Sequence, residues 1–315
     1  MIKKNKILII QLRPGLGDLC MFLPRCHEIA QKYPNFEITL LTKENTKAKE
    51  VLKHDPYIDK IEFIDQNKLK KNIRFLFNFF SKNKFSKVFS YQYGPKYLKY
   101  IFLSKITGVN EIFFYGILKK KEDMILKSIN ANQKWLNIKV KNFQPKIYLN
   151  TDDQKKKKNS IVIGLGASGD NKRWPIEYFI TLIDKLTSIG INEYILAAGK
   201  SELKYIEKIK NTFSSNKKIA FISLENLDVY DSINFIRNTF IFIGNDTGFM
   251  HVSACLGLKT FCLYGDTPSS DAIYNQNIYP ILPPGMNFTY HGDMAMNKIL
   301  PEFVYSIVKK QIETM

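Results

Sequence analysis

Twice along its length the chain repeats one local grammar: a short, nearly all-apolar run, a glycine-bearing loop, then a stretch of helical period. The first copy runs Lys6 to Gln11, turns through Arg13-Pro14-Gly15-Leu16-Gly17-Asp18, and continues as a helical pattern from Leu19 to Lys32. The second runs Ser160 to Leu165, passes a Gly/Ser loop, and continues from Pro175 to Ser188. Runs this short, without an alternating polar face, suit strands covered on both sides of a parallel sheet. Strands at Glu37–Thr42, Lys60–Ile64 and Lys87–Tyr91 follow the first copy; Glu193–Ala198, Lys218–Ile222, Thr239–Gly244 and Thr260–Tyr264 follow the second. Helical patterns lie between most of them, among them Thr46–Lys53, Ile73–Phe80, Ser201–Thr212 and Asp228–Arg237. Such alternation implies right-handed βαβ units and an α/β fold built twice over.

The length of 315 residues agrees with two domains. A charge-rich, aperiodic run with Asp152, Asp153 and Lys155 to Lys158 reads as the linker between them. The expected division is 1–150, a linker at 151–159, a second domain at 160–299 and a C-terminal helix within 300–315. Between Asn67 and Lys121 the pattern loosens into a mixture of Tyr, Phe and Lys.

With 45% apolar residues the chain can build ordinary cores, which excludes intrinsic disorder of the whole. A net charge of +18 suits nucleic acid, acidic lipid or phosphorylated ligands, or is solvated surface in a Lys- and Asn-rich composition. Cysteines 20, 26, 255 and 262 form neither a CxxC pair nor a zinc-ligand spacing, and fit a reducing cytoplasm. The apolar run after Lys3-Lys4 ends at Gln11, too short for a signal core, and nothing approaches the roughly 20 apolar residues of a membrane span. A soluble or peripheral protein is expected.

Ligands of open parallel sheets sit at the carboxyl ends of strands. Three loops there carry chemistry. In Gly15-Leu16-Gly17-Asp18 the aspartate is either an N-cap, worth about 1 kcal/mol, or a carboxylate aimed outward as a general base. Spacing alone favours the cap. The loop Gly164-Leu165-Gly166-Ala167-Ser168-Gly169-Asp170-Asn171-Lys172-Arg173-Trp174-Pro175 offers glycines, the Ser168 hydroxyl, two adjacent cations and a helix start, a cradle for a diphosphate. It matches G-x-G-x-x-G on paper, yet the helix opens too late for a dinucleotide fingerprint. In Gly244-Asn245-Asp246-Thr247-Gly248 a strand delivers Asp-Thr-Gly to a helix N-terminus, where amides can meet an anion or Asp246 can simply cap. His251, one turn on, suits structural hydrogen bonding.

These loops, with Leu23-Pro24, Lys172 two residues before Trp174-Pro175, Asp246-Thr247-Gly248 with His251, and Leu263-Tyr264-Gly265-Asp266-Thr267-Pro268, give a sequence that resembles glycosyltransferase family 9, the lipopolysaccharide heptosyltransferases. The resemblance runs nearly end to end. It implies the GT-B architecture, two Rossmann-like domains whose parallel sheets face a central cleft, acceptor on the N-terminal domain and sugar nucleotide on the C-terminal one. It implies inverting transfer from ADP-heptose, with Asp18 as base, which overrides the cap, and Gly17, Arg13, Arg173 and His251 in supporting positions. Lys172, Asp246, Thr247, Gly248 and Ser168 would bind donor. In such folds the last helix, here Leu300 to Ile312, crosses back onto the N-terminal domain.

An inverting transfer needs a base for the acceptor hydroxyl and charge stabilisation on the departing diphosphate. No Asp-x-Asp pair occurs to hold a divalent cation, so Lys172, the amides at Thr247 and Gly248 and a helix dipole are expected to serve, with no metal and no cofactor. The acceptor implied is an anionic glycolipid or glycan at the cytoplasmic face of the inner membrane. Peripheral docking there through Lys119-Lys120-Lys121 and the run Phe75 to Phe80 would use the positive charge, the alternative for Phe75 to Phe80 being a buried helix. Three other readings compete: the same fold with another nucleotide sugar, a non-enzymatic binder of anionic polymers, and a catalytically idle homologue that retains the donor loop, against which the presence of both Asp18 and Lys172 argues. No nucleic-acid module is recognisable, so no nucleic acid is expected as partner.

Overall fold

The computed structural model describes residues 5–64, 69–91, 98–115, 124–139, 144–150 and 156–314. The chain divides into two compact units, 1–150 and 151–315. Residues 151–155 of the expected linker, and Lys119 to Lys121, lie outside the described residues.

In chain order the first unit contains β1 (Lys6–Ile10), α1 (Leu16–Lys32), β2 (Glu37–Thr42), α2 (Ala48–Val51), β3 (Lys60–Phe63), α3 (Leu69–Asn83), β4 (Lys87–Ser90), α4 (Leu98–Ile106), β5 (Glu111–Phe114) and α5 (Met124–Leu136). Among the described residues its five strands are all parallel in the order β3-β2-β1-β4-β5. Ile7, Leu8, Ile9 and Ile10 are fully buried, as expected of a central strand covered on both faces. The strand order reverses between β1 and β4, so a crevice opens beyond their carboxyl ends.

The helix expected over Thr46 to Lys53 is instead a 3-10 turn, Glu44–Thr46, and the single turn α2. Lys47 joins them in the left-handed region at φ 56°, which interrupts a regular helix. The loose segment contains two elements that its pattern does not announce, α4 and β5, and α5 follows it. Helix α5 is pinned to α1 by a buried polar cluster. Asn132 donates to the Arg25 carbonyl at 3.0 Å and to the Glu28 carboxylate at 2.8 Å, and accepts from the Tyr91 hydroxyl. Burial pushes the Glu28 carboxyl up, and Arg25 at 2.5 Å and the Asn132 amide oppose that rise.

The second unit contains β6 (Ser160–Gly164), α6 (Ile176–Thr187), β7 (Glu193–Ala197), α7 (Leu203–Thr212), β8 (Ala220–Ser223), α8 (Val229–Ile236), β9 (Ile241–Asn245), α9 (Gly248–Cys255), β10 (Lys259–Leu263), β11 (Ile278–Ile281) and α10 (Pro301–Ile312). The six strands are parallel in the order β11-β10-β9-β6-β7-β8, and β11 was not expected from the sequence. Here the reversal falls between β6 and β9. Helix α10 packs in this unit, with Val304 and Val308 in the same core as Phe179, Leu182 and Trp174. Among the described residues no helix is long and apolar enough to cross a membrane.

Candidate functional site

The loop after β1 is shaped by Gly15, whose φ of 100° is open to glycine and strained for other residues. Gly15 is the N-cap of α1, and no side chain caps the helix. Gly17 is the second residue of α1 and Asp18 the third. The Asp18 carboxylate therefore does not cap. Its Oδ1 accepts from Arg13 Nε at 2.5 Å, while Oδ2 lies over the open face of Gly15. Asp18 is 16% exposed and Arg13 36%, so the pair stands at the surface of the β1–β4 crevice. Buried Gln11 holds the turn by donating to the Asp18 carbonyl at 3.3 Å.

In the second unit, two loops nearly eighty residues apart in sequence become neighbours because β6 and β9 pair directly. The strands approach closely: a methyl on Gly244 would stand 2.3 Å from the Gly164 carbonyl oxygen. Asn245, fully buried at the end of β9, clamps the loops together. Its Oδ1 accepts from the Trp174 amide at 2.9 Å, and its Nδ2 donates to the Leu165 carbonyl at 3.1 Å. Trp174 is locked in turn, its indole N–H donating to the Ile299 carbonyl at 2.7 Å. Sequence reasoning missed Asn245, although a polar residue closing an all-apolar strand was the available signal.

The cap of α9 is Thr247, whose hydroxyl accepts from the Phe249 amide at 3.2 Å. As at Asp18, the aspartate expected as the alternative cap is released for other contacts. Gly248 opens the helix, and the amides of Thr247 and Gly248 precede the first intrahelical bond, from His251 N–H to the Thr247 carbonyl. Burial would raise the Asp246 carboxyl, but the His251 hydrogen bond and charge, the Lys172 ammonium and the Thr267 hydroxyl outweigh it and hold it below the usual carboxylate range. His251 Nε2 lies 3.4 Å from Asp246, and its Nδ1 meets the Tyr274 hydroxyl at 2.6 Å. Lys172 closes a 3-10 turn, Asp170–Lys172, half-buried and within electrostatic reach of Asp246.

Arg173 turns elsewhere. It donates to the Leu165 carbonyl at 3.1 Å, pairs with buried Glu202 at 3.3 Å and lies over the Tyr205 ring. Ser168 is exposed on the loop, and Pro175 is the N-cap of α6 rather than a residue of its first turn. Asp266 is buried and accepts from the amides of Gly292 and Met294 at 2.9 and 2.8 Å, fixing the chain beside Thr267. Among the described residues no group of three metal-ligating side chains converges.

The arrangement is one of two crevices, each at a point where strand order reverses. One carries a carboxylate oriented by an arginine; the other carries a lysine, the Thr247-capped start of α9 and an aspartate held below the usual carboxylate range. The model of "glycosyltransferase family 9 (heptosyltransferase)" matches residues 87–278. Lipopolysaccharide heptosyltransferase 1 of Campylobacter coli is 25% identical, over 97% of this chain and 98% of its own. The solved E. coli ADP-heptose lps heptosyltransferase II has a TM-score of 0.76 at 16% identity, covering 98% of this chain and 99% of that one. A family 9 glycosyltransferase from Veillonella parvula gives 0.76 at 16% identity, covering 99% and 98%. The architecture is that of the GT-B glycosyltransferases. With more than half its length matched by the family model and both Rossmann-like units in place, the chain belongs to glycosyltransferase family 9, the heptosyltransferase family, and is a glycosyltransferase.

Proposed function

We propose that the protein is an inverting, metal-independent heptosyltransferase that moves heptose from ADP-heptose to a lipopolysaccharide core or a related anionic glycolipid, working from the cytoplasmic side. Asp18 removes the proton from the acceptor hydroxyl as its oxygen attacks the anomeric carbon. The bond from that carbon to the diphosphate oxygen breaks, and the electron pair leaves with ADP. Arg13 holds one Asp18 oxygen so that the other can face the acceptor. Lys172 and the amides of Thr247 and Gly248 meet the charge that grows on the diphosphate, aided by the positive end of α9. Asp246 and His251 fix that loop, and Ser168 adds a hydroxyl at its rim. Residues 1–150 receive the acceptor and 151–315 the nucleotide.

The observation that carries this reading is the convergence of the loops after β6 and β9, clamped by Asn245, with Lys172 within electrostatic reach of Asp246 just before the start of α9. The relatives' names supply ADP-heptose and lipopolysaccharide. The test is calorimetric titration with ADP, UDP, GDP and CMP, with and without magnesium, on the wild type and Lys172→Ala. Selective ADP binding that ignores magnesium and weakens in the variant is expected. Preference for UDP or GDP would transfer the same roles to another nucleotide sugar.

A further inference from the structure

The first unit leaves an apolar, positively charged face that its own core does not use. Helix α4 is apolar on both sides. Tyr100 and Leu103 are buried with Leu8, Ile10, Leu76 and Phe80. The opposite side carries Leu98, Phe102 and Ile106, four residues apart and 55%, 63% and 52% exposed. A helix hydrophobic all round is buried in protein or in lipid, and here one side faces outward. Helix α3 repeats the pattern: Leu76, Phe79 and Phe80 face inward, while Ile73 and Phe77 are 48% and 46% exposed. The two outer stripes meet, since Phe77 and Ile106 line one groove of about 520 Å³ together with Lys84.

The stretch of sequence that carries α3 and α4 has charge of one sign. From Gln66 to Asn110 the sequence holds ten Lys and Arg residues and no Asp or Glu. Arg74, Lys82, Lys84 and Lys105 are exposed, and none of them forms an ion pair among the described residues. Glu111, just beyond, is paired with Lys87.

We propose that this outer face of α3 and α4 is a docking surface for an anionic lipid bilayer, Leu98, Phe102, Ile106, Ile73 and Phe77 entering the headgroup boundary while the surrounding cations meet lipid phosphates. The surface thereby extends the proposed function, from which only the lipid-borne nature of the acceptor is taken. Of the run Phe75 to Phe80, Phe79 and Phe80 belong to the core, so the contact is made by the other side of α3 and by α4. Nucleic acid would satisfy the cations but leave Leu98, Ile106 and Ile73 in water, whereas a bilayer takes both. Lysine stems lie along apolar surface with their ammonium groups at the phosphates.

The test is flotation of the full chain with phosphatidylcholine vesicles, with and without phosphatidylglycerol, free of any sugar acceptor. Binding to the anionic vesicles that falls with salt is expected. Lys82→Gln with Lys105→Gln should lose about fivefold per charge removed. Phe102→Ser with Ile106→Ser should abolish flotation, and both double variants should keep wild-type ADP affinity. Wild-type protein that ignores anionic vesicles, or variants that float as it does, would overturn the proposal. So would a lipid-free dimer broken by the Phe102/Ile106 variant, which would assign the face to a second copy, or an oligonucleotide that displaces the vesicles and binds more tightly than they do. ADP titration is separate from each of these outcomes, so this surface can fail while the donor assignment stands.

Discussion

At Asp18 and Asp246 the same residue type meets the same choice, and the backbone decides it. Each stands at the start of a helix after a buried strand, where an aspartate is an excellent cap. Gly15 takes the N-cap position of α1 and Thr247 that of α9, so both carboxylates turn to a cation or an imidazole instead. If Asp18 is the base, Asp18→Asn will lower kcat by about 10²–10⁴-fold and leave ADP affinity unaltered in calorimetry. For Asp246 the folded state holds the carboxyl below its ordinary value, so its contribution to stability is present above the unfolded value of about 4 and disappears as pH falls through the folded one. The stability gap between the wild type and Asp246→Asn in urea should be full at neutral pH and narrow steadily below about pH 4. Asn245→Ala removes the partners of two buried backbone groups and should cost about 2–3 kcal/mol in the same assay, with weaker ADP binding.

At the scale of elements, what matters is how closely β6 and β9 approach. Gly164 and Gly244 face each other across the pair, and a methyl on Gly244 would meet backbone, which cannot swing aside as a side chain does. Gly244→Ala should therefore destabilise the protein by about 3 kcal/mol, visible as a lowered midpoint in thermal unfolding. Gly257→Ala, at a φ of 80° in open space, should cost less. Strands β1, β2, β6, β7, β9 and β10 were legible as apolar runs because burial on both faces leaves no room for polar residues. Strands β3, β5 and β8, at or near sheet edges, are half-buried and carry weaker patterns; β5 went unseen beside the aromatic-rich segment. Helix α2 was overextended, since nothing in Thr46 to Lys53 signals that Lys47 takes a left-handed conformation.

For the molecule as a whole, the two units carry different candidate site residues, and under the proposed function ligand effects should respect the division at residue 150. In hydrogen exchange, saturating ADP should slow amides in the loops 164–175 and 245–251 and leave the sheet of residues 1–150 unchanged. Protection centred on the Asp18 loop would reverse the assignment of donor and acceptor. The charge of +18 is also unevenly placed, with the stretch from Gln66 to Asn110 free of acidic residues. Net composition alone left open whether that charge serves a ligand or is solvated surface; the exposed Arg74, Lys82, Lys84 and Lys105, on or next to α3 and α4 with their outer apolar side chains, favour a surface role.

The sequence by itself determined the two βα units, the three loops at strand ends and the family, and it offered Asp18, Lys172 and Asp246 as candidates, because strand burial, glycine turns and loop chemistry are written locally. Only the tertiary structure decided that the loops after β6 and β9 share one crevice, that Asn245 clamps them, that Arg173 answers to Glu202 and Tyr205, and that neither aspartate caps its helix. Those outcomes depend on which strands become neighbours and on where each side chain finds its nearest opposite charge, and crossover connections tens of residues long set both.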